Sequence, residues 1–368
     1  MEHLVLPDWV FRLGWGTPGA YEYLQLRMEA AQLAKSRKEV RKARKALNSA
    51  VANRKRPRDP QNLRWAIKTS VPAGPSGQSW GDLYFANEIA ASLKKLGHTA
   101  RVDFRNDVIH PNSADDDVVL VLRGIERIRP QHGAINLLWV ISHPGRVSRF
   151  EVRDFDSVFA ASTLWATKAT ANFEVHVEPL LQATNPKKFR PEVNEPDSGD
   201  EILFVGNTRN VYRQINKDCV EAGITPSVYG KDWDRFVPKE LIKGTFIPNE
   251  EVAGRYRAAG VVLNDHWLDM AREGFLSNRL FDAVASGARV ISDDAIGIKE
   301  VFGESVAVYQ SPDELAELCA TTSRHIWGTA EEIVTRANQI GIDHSFDARV
   351  VSLLRKVAEF DKSLGSTS

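Results

Sequence analysis

The chain is 368 residues long, 43% hydrophobic and 26% charged, with 48 Lys and Arg against 48 Asp and Glu. That length suits two domains of ~150 residues better than one core, the composition is globular rather than disordered, and the balanced charge gives no general attraction to nucleic acid or to an acidic surface. Two cysteines, Cys219 and Cys319, make no disulfide framework, the apolar runs are strand-sized and the first residues lack a secretory leader, so a cytoplasmic location is expected.

The charge is uneven along the chain. Between Lys35 and Arg58 stand 11 basic residues and one acidic residue, Glu39. Leu26, Leu33, Val40 and Leu47 recur every seven residues, with Ala43 and Ala50 on the same side, so residues 20–52 read as one basic amphipathic helix. Its open roles are packing on the body with a solvated basic face, self-association or another partner contact, and peripheral attachment at the inner membrane surface. No aromatic residue interrupts the basic run to stack on bases, so nucleic acid is not an expected partner.

From Leu63 the pattern alternates between strand and helix. "LRWAIKTSV" reads as a short strand and "PAGPSGQSWGD" as a glycine-rich connection whose Gly77 and Gly81 allow close backbone approach. In "LYFANEIAASLKKLG" Leu83, Ala86, Ile89, Ala90 and Leu93 recur at helical spacing and Gly97 supplies the stop. Ser79 and Asp82 are placed to cap that helix. "HTARVDFR", "DDVVLVLRG", "INLLWVIS" and "FDSVFAAS" then read as strands of a mostly parallel sheet with crossovers.

The proline- and charge-rich stretch "ATNPKKFRPEVNEPDSGD" reads as a linker, after which the architecture repeats. "EILFVGN" is a strand, residues 211–222 a helix, and "TPSVYG" and "AAGVVLND" are strands. A helix is expected from Leu276 to Ser286, followed by the strands "ARVISDD" and "AVYQ" and a chiefly helical end after Pro312. The expected organisation is an N-terminal extension over 1–60, a first Rossmann-like domain over 61–190, a second over 191–325 and C-terminal helices over 326–368 that can return to brace the first domain. Two such α/β units place a ligand in the cleft between them.

In order and spacing, "WGDLYFANEIAASLKKLGHTARV", "INLLWVISHP", "FDSVFAAS", "VEPLLQATNPKKFRP", "ILFVGN" and "FLSNRLFDAVASGARVISDD" resemble nucleotide-sugar glycosyltransferases of the GT-B fold. The texture is most similar to the CgeB-like branch and to family 4 glycosyltransferases, over Lys68 to Gln310. The resemblance implies an α/β fold of GT-B type, two Rossmann-like domains facing a cleft, with the basic helix as an addition. It also implies a nucleoside-diphosphate sugar as donor, held by a nucleotide-sugar domain over 191–325, a hydroxyl of a glycan, glycolipid or other acceptor, held by an acceptor domain over 61–190, and no metal or cofactor besides the donor. A noncatalytic carbohydrate-assembly subunit and a sugar-nucleotide epimerase remain the alternatives. A dehydrogenase is disfavoured because no strand leads into a compact G-x-G-x-x-G turn.

By that resemblance Asp282 takes the place of the helix carboxylate that accepts the ribose hydroxyls, one methylene shorter than the family's usual glutamate. The free N–H groups of Leu276, Ser277 and Asn278, expected as the first turn of the same helix, offer a cradle for diphosphate. Arg279 would neutralise the leaving group or else form a structural ion pair. Glu273 resembles the first member of the family 4 carboxylate pair, yet it stands nine residues before Asp282 where the family has eight. Gly206, Asn207, Arg209 and Arg213 follow a strand, as do Asn264, Asp265 and His266, where an open α/β sheet binds ligands. His143, just after "LLWVI", is either the acceptor's base or a turn histidine, with Asp82 as the alternative base.

Overall fold

The computed structural model describes residues 38–52, 58–78, 80–105, 110, 112–192, 201–208 and 210–365, with side chains to 360. They fall into two compact units, one of residues 1–57 with 109–115 and one of 58–108 with 116–368. In the smaller unit residues 38–52 are helical. Leu26 and Leu33 of the expected stripe lie outside the described residues. Val40 is 42% exposed, so on the described turns the covered side runs through Ala43, Arg44, Leu47 and Val51. That spacing of three and four is an ordinary helical face rather than a strict heptad seam. Lys38, Arg41, Lys42 and Lys45 are exposed.

The larger unit contains two parallel sheets. In the first, β1 (Arg64–Lys68), β2 (Thr99–Asp103), β3 (Val118–Arg123), β4 (Ile135–Val140), β5 (Ser157–Ala160) and β6 (Val177–Pro179) lie in the order β2-β1-β3-β4-β5-β6. The second consists of β7 (Ile202–Val205), β8 (Ser227–Tyr229), β9 (Ile242–Gly244), β10 (Val261–Asn264), β11 (Val290–Ser292) and β12 (Val306–Val308), in the order β12-β11-β10-β7-β8-β9. Every residue of β3 and β4 is buried, as expected of strands covered by helices on both faces. These are the two Rossmann-like lobes of a GT-B fold. The direction of winding reverses between β1 and β3 in the first sheet and between β7 and β10 in the second, and such switch points hold ligands at the carboxyl ends of the strands.

The helices are α1 (Gly81–Lys95), α2 (Arg149–Val152), α3 (Thr163–Phe173), α4 (Gln214–Glu221), α5 (Asn249–Ala258), α6 (Leu268–Arg272), α7 (Asn278–Ala285), α8 (Ile298–Phe302), α9 (Pro312–Cys319), α10 (Ala330–Asp343) and α11 (Phe346–Gly365). α1 buries Leu83, Ala86, Ile89, Ala90 and Leu93, and Gly97 takes a positive φ of 90° just beyond it. Its N-cap is Trp80 with no side-chain capping bond, so Asp82 sits inside the first turn instead; Ser79 lies outside the described residues.

The chain crosses between the lobes twice, and both crossings matter for packing. α11 returns to the first sheet, where Phe346, Val350, Leu353 and Val357 join Trp65, Leu120, Trp139 and Phe85 in one core. Each such side chain fully buried is worth ~1.5–3 kcal/mol in removal from water. On the sheet's other face, Met270 and Phe275 of the second half insert among Val152, Trp165 and Ala166. The two crossing segments also bond to each other: the Thr184 N–H donates to His344 O at 2.8 Å and the Phe346 N–H to Thr184 O at 3.2 Å. Arg349 clamps the outgoing segment by donating to Leu181 O at 2.7 Å and Gln182 O at 3.0 Å. Among the described residues no helix is long and apolar enough to cross a membrane.

Candidate nucleotide-sugar site

The switch point of the second sheet is built from the loops after β7 and β10 and the start of α7. β10 ends in Asn264, which is fully buried. Its Nδ2 donates to Ser292 Oγ at 2.9 Å, while its Oδ1 accepts from Ser277 Oγ at 2.7 Å and from Arg279 Nη1 at 3.0 Å. One buried amide thereby ties two strands to the helix start. Ser277 is the N-cap of α7, in extended conformation, and its hydroxyl is used on Asn264 rather than on the helix amides.

α7 therefore begins at Asn278, two residues later than the expected first turn, and Leu276 is a core residue with 1% exposure. Among the described residues no acceptor meets the N–H groups of Asn278 and Arg279. A helix N-terminus with open amides carries partial positive charge and accepts an anion.

His266 underpins this terminus. Its Nε2 lies 3.0 Å from the Ser277 N–H, which can only donate, so Nε2 is unprotonated and Nδ1 carries the proton toward Asp293 Oδ1 at 2.6 Å. The His266 N–H also donates to Asp293 Oδ2 at 2.8 Å. Burial pushes the Asp293 carboxyl up, but the bonds from His266 outweigh it and hold the carboxyl below its usual range. With both ring nitrogens used, His266 positions Ser277 instead of offering a nitrogen to a ligand.

Two arginines flank the Phe204 ring on β7, with guanidinium carbons 5.3 Å (Arg213) and 5.0 Å (Arg279) from its centroid. They differ in their partners. Arg213 Nε donates to Asp265 Oδ2 at 2.9 Å, its Nη2 bonds Asp265 Oδ1, and Nη1 reaches Asn207 O at 3.3 Å, so this cation is neutralised in a buried pair. The expected diphosphate contact by Arg213 is thus redirected to holding the Asn207 and Asp265 loops together. Arg279 forms no ion pair among the described residues; it bonds Asn264 and lies near the Tyr256 phenol. Burial, then the neighbouring Arg213 charge, pull its pKa below the ordinary guanidinium range. Arg209 lies outside the described residues.

Gly206 is what lets Arg279 come so close. A Cβ on Gly206 would stand 2.7 Å from Arg279 Nη2. The loop is held from below by Trp233 Nε1, which donates to Gly206 O at 2.8 Å, and by Asn207 Oδ1, which accepts the Lys231 N–H at 2.8 Å. One turn into α7, Asp282 accepts from Thr184 Oγ1 at 2.7 Å on one oxygen and from Asn278 Nδ2 at 2.8 Å on the other. Burial pushes its carboxyl up to about 7. Asn278 Oδ1, buried beside it, has no partner.

On the first lobe, His143 has a left-handed φ of 53° and its Nδ1 lies 2.9 Å from Ser142 Oγ. Its ring faces that of Trp267 from the second lobe at 6.2 Å. Asp82 Oδ2 approaches so near Gly124 that a Cβ there would stand 2.8 Å away. Asp82, Ser142 and His143 therefore group at the carboxyl ends of the first sheet's strands. Glu273 is elsewhere: its carboxylate accepts from Lys168 Nζ at 3.0 Å and its backbone O from Ser162 Oγ at 2.5 Å, so it fastens the second lobe to α3. Among the described residues no three His, Cys, Asp or Glu side chains group as a metal site. Sequence reasoning did not reach Thr184, Phe204, Tyr256 or Asp293; the acidic pair Asp293-Asp294 after a strand was the one local signal among them.

The chain is similar to known proteins in sequence and in fold. Residues 208–355 match the family described as glycosyl transferase-like. Spore protein CgeB of Bacillus subtilis (strain 168) is 25% identical over 125 residues, covering 30% of this chain and 39% of that protein, so the match spans well under two thirds of the relative. Sucrose-phosphate synthase from Thermosynechococcus elongatus superposes with a TM-score of 0.59 at 13% identity, over 83% of this chain and 100% of that one. HepE of Anabaena, solved with UDP and glucose, gives a TM-score of 0.53 at 12% identity, over 82% and 100%. The expected GT-B fold and the likeness to CgeB are both met.

Proposed function

We propose that this GT-B chain, whose residues 208–355 match the glycosyl transferase-like family, transfers a sugar from a nucleoside-diphosphate sugar to a hydroxyl of a glycan or glycolipid. The observation that carries the reading is Arg279, a largely enclosed cation with no ion-pair partner among the described residues, beside open helix amides at the switch point of the second sheet. A diphosphate is the ligand whose charge and oxygen count meet that arrangement. The HepE complex with UDP and glucose supports the same ligand class, and UDP-sugars are the first donors to test.

In this reading the donor lies on the second lobe, with its diphosphate on the Asn278 and Arg279 amides and the Arg279 guanidinium, and with its ribose diol on Asp282. The acceptor lies on the first lobe. Its hydroxyl oxygen attacks the anomeric carbon, the bond from that carbon to the phosphate oxygen breaks, and the electron pair leaves with the diphosphate. Arg279 and the helix amides stabilise the charge that develops there. The acceptor's proton passes to a base, for which His143 is the candidate by its place at the lobe mouth. Gly206 and Asn207 shape the floor, while Arg213 and His266 hold it in position. Glu273 serves as a link between the lobes.

Incubation with nucleotide-sugar panels, with and without glycan and lipid-linked acceptors, tests the proposal through product mass and nucleotide release. Acceptor-dependent product is the expected result. Change of the sugar nucleotide without acceptor would make the protein an epimerase, and binding without turnover would make it an assembly subunit.

A further inference from the structure

Asp282 is gripped from outside its own helix. Thr184, fully buried on the outgoing crossing segment, donates its only hydroxyl proton to Asp282 Oδ1 at 2.7 Å. The same residue's backbone is fixed by His344 O and the Phe346 N–H of the returning segment. The hydroxyl therefore has a defined direction, and it joins the carboxylate to the place where the lobes are connected. Each Asp282 oxygen accepts one protein donor and retains capacity for another, so a vicinal diol fits without displacing Thr184 or Asn278.

We infer that Thr184 is a positioning residue for the donor nucleotide: its hydroxyl orients the Asp282 carboxylate toward the ribose diol and anchors that carboxylate to the crossover between the lobes. The inference rests on the donor site proposed above. The charged and titratable groups facing Asp282 are Lys188 on the crossing segment, Glu88 on α1 and Tyr256 on α5. Burial and Glu88 favour the protonated carboxyl, whereas Thr184, Lys188 and Asn278 favour the carboxylate. Removing the Thr184 hydroxyl leaves the orientation loose and protonates more of Asp282 near neutral pH, and a protonated carboxyl offers the ribose fewer lone pairs.

The test is calorimetric titration of the full chain with UDP, GDP and ADP from about pH 6 to about pH 9, for wild type, Thr184→Val, Thr184→Ser and Asp282→Asn. Thr184→Val should bind the preferred nucleotide roughly tenfold more weakly at neutral pH, because a loosened and more protonated Asp282 loses part of its charge-assisted bonding to the diol. Its affinity should recover as pH rises, and Thr184→Ser should restore both the affinity and the wild-type pH profile. Wild-type affinity and profile in Thr184→Val, alongside weakened Asp282→Asn, would overturn the role of Thr184 and leave the donor site standing. A serine variant as weak as valine would do the same, because the hydroxyl would then not be the operative group. No nucleotide binding by wild type, or full affinity in Asp282→Asn, would overturn both readings. If Thr184→Val does not fold, Thr184→Ala replaces it in the comparison.

Discussion

The ring of His266 bridges the Ser277 N–H and the Asp293 carboxylate, with 3.0 Å on one nitrogen and 2.6 Å on the other. The start of α7 is thereby bound to the loop after β11, and the amides that follow Ser277 face outward with their bonding capacity unused. The candidate anion site thus depends on a side chain that does not reach it.

Replacing that ring should cost stability as well as binding. His266→Ala takes the ring from between the Ser277 N–H and a half-buried carboxylate, which keeps only its bonds from the backbone N–H of residue 266 and from Ser292, for a loss of ~1–3 kcal/mol in chemical denaturation. Asp293 also gives the effect a pH sign. Its folded pKa is held low, so its contribution is present above the ordinary aspartate range and is lost as pH falls through the folded value. The wild type should accordingly lose stability on acidification more steeply than His266→Ala. Equal slopes would count against the bridge.

Gly206 and Gly230 should respond differently to alanine. At Gly206 the added methyl meets the tip of the Arg279 side chain at 2.7 Å, and that tip can move away. Folding should change by less than ~1 kcal/mol, while diphosphate affinity should fall roughly tenfold as the guanidinium leaves its place over Phe204. At Gly230 the methyl would stand 2.1 Å from the backbone oxygen of Gly206, with φ at 154°, and neither atom has a flexible side chain to give way. Gly230→Ala should therefore destabilise the fold by several kcal/mol, on the order of overpacking with backbone strain. Thermal melts with parallel nucleotide titrations separate the two outcomes.

Asp282 sets a pH dependence of opposite sign to Asp293. Its folded pKa of about 7 lies above the unfolded value, so the folded state holds a proton that the unfolded state has released. The stability this group contributes is fully present below the unfolded pKa and is lost as pH rises through about 7. Asp282→Asn should flatten that decline, since Thr184 still donates to its oxygen and a turned Asn278 amide can accept from its nitrogen. Nucleotide binding to the carboxylate form should release protons near neutral pH, measurable as a buffer-dependent binding enthalpy. A binding enthalpy independent of buffer, or an unchanged decline in Asp282→Asn, would sink this assignment.

What the sequence determined by itself is whatever local burial encodes. Runs such as "VVLVLR" and "INLLWV" are apolar because both faces of a parallel strand are covered, and the 3.6-residue spacing of Leu83 to Leu93 marks the covered side of α1. Glycine after β7 and the Asn278-Arg279 pair at a helix start were legible for the same reason. The strands β6 and β9 were not read, because in VEP and IKG a charged residue stands at the centre and a single β-branched residue, Val177 or Ile242, carries the strand signal. Which of the two arginines beside Phe204 lacks an ion pair among the described residues was decided only by tertiary structure. Arg213 and Arg279 look alike in sequence, and Arg213 is neutralised by Asp265, 52 residues away in the chain. Likewise Asp282 meets Thr184 across 98 residues, and Glu273 meets Lys168 across 105. Periodicity is a property of neighbours along the chain, whereas charge pairing and the desolvation that shifts a pKa are properties of neighbours in space. The helix and its arginine could therefore be named from the sequence, but the partners that leave Arg279 open and close Arg213 appeared only when both lobes were folded.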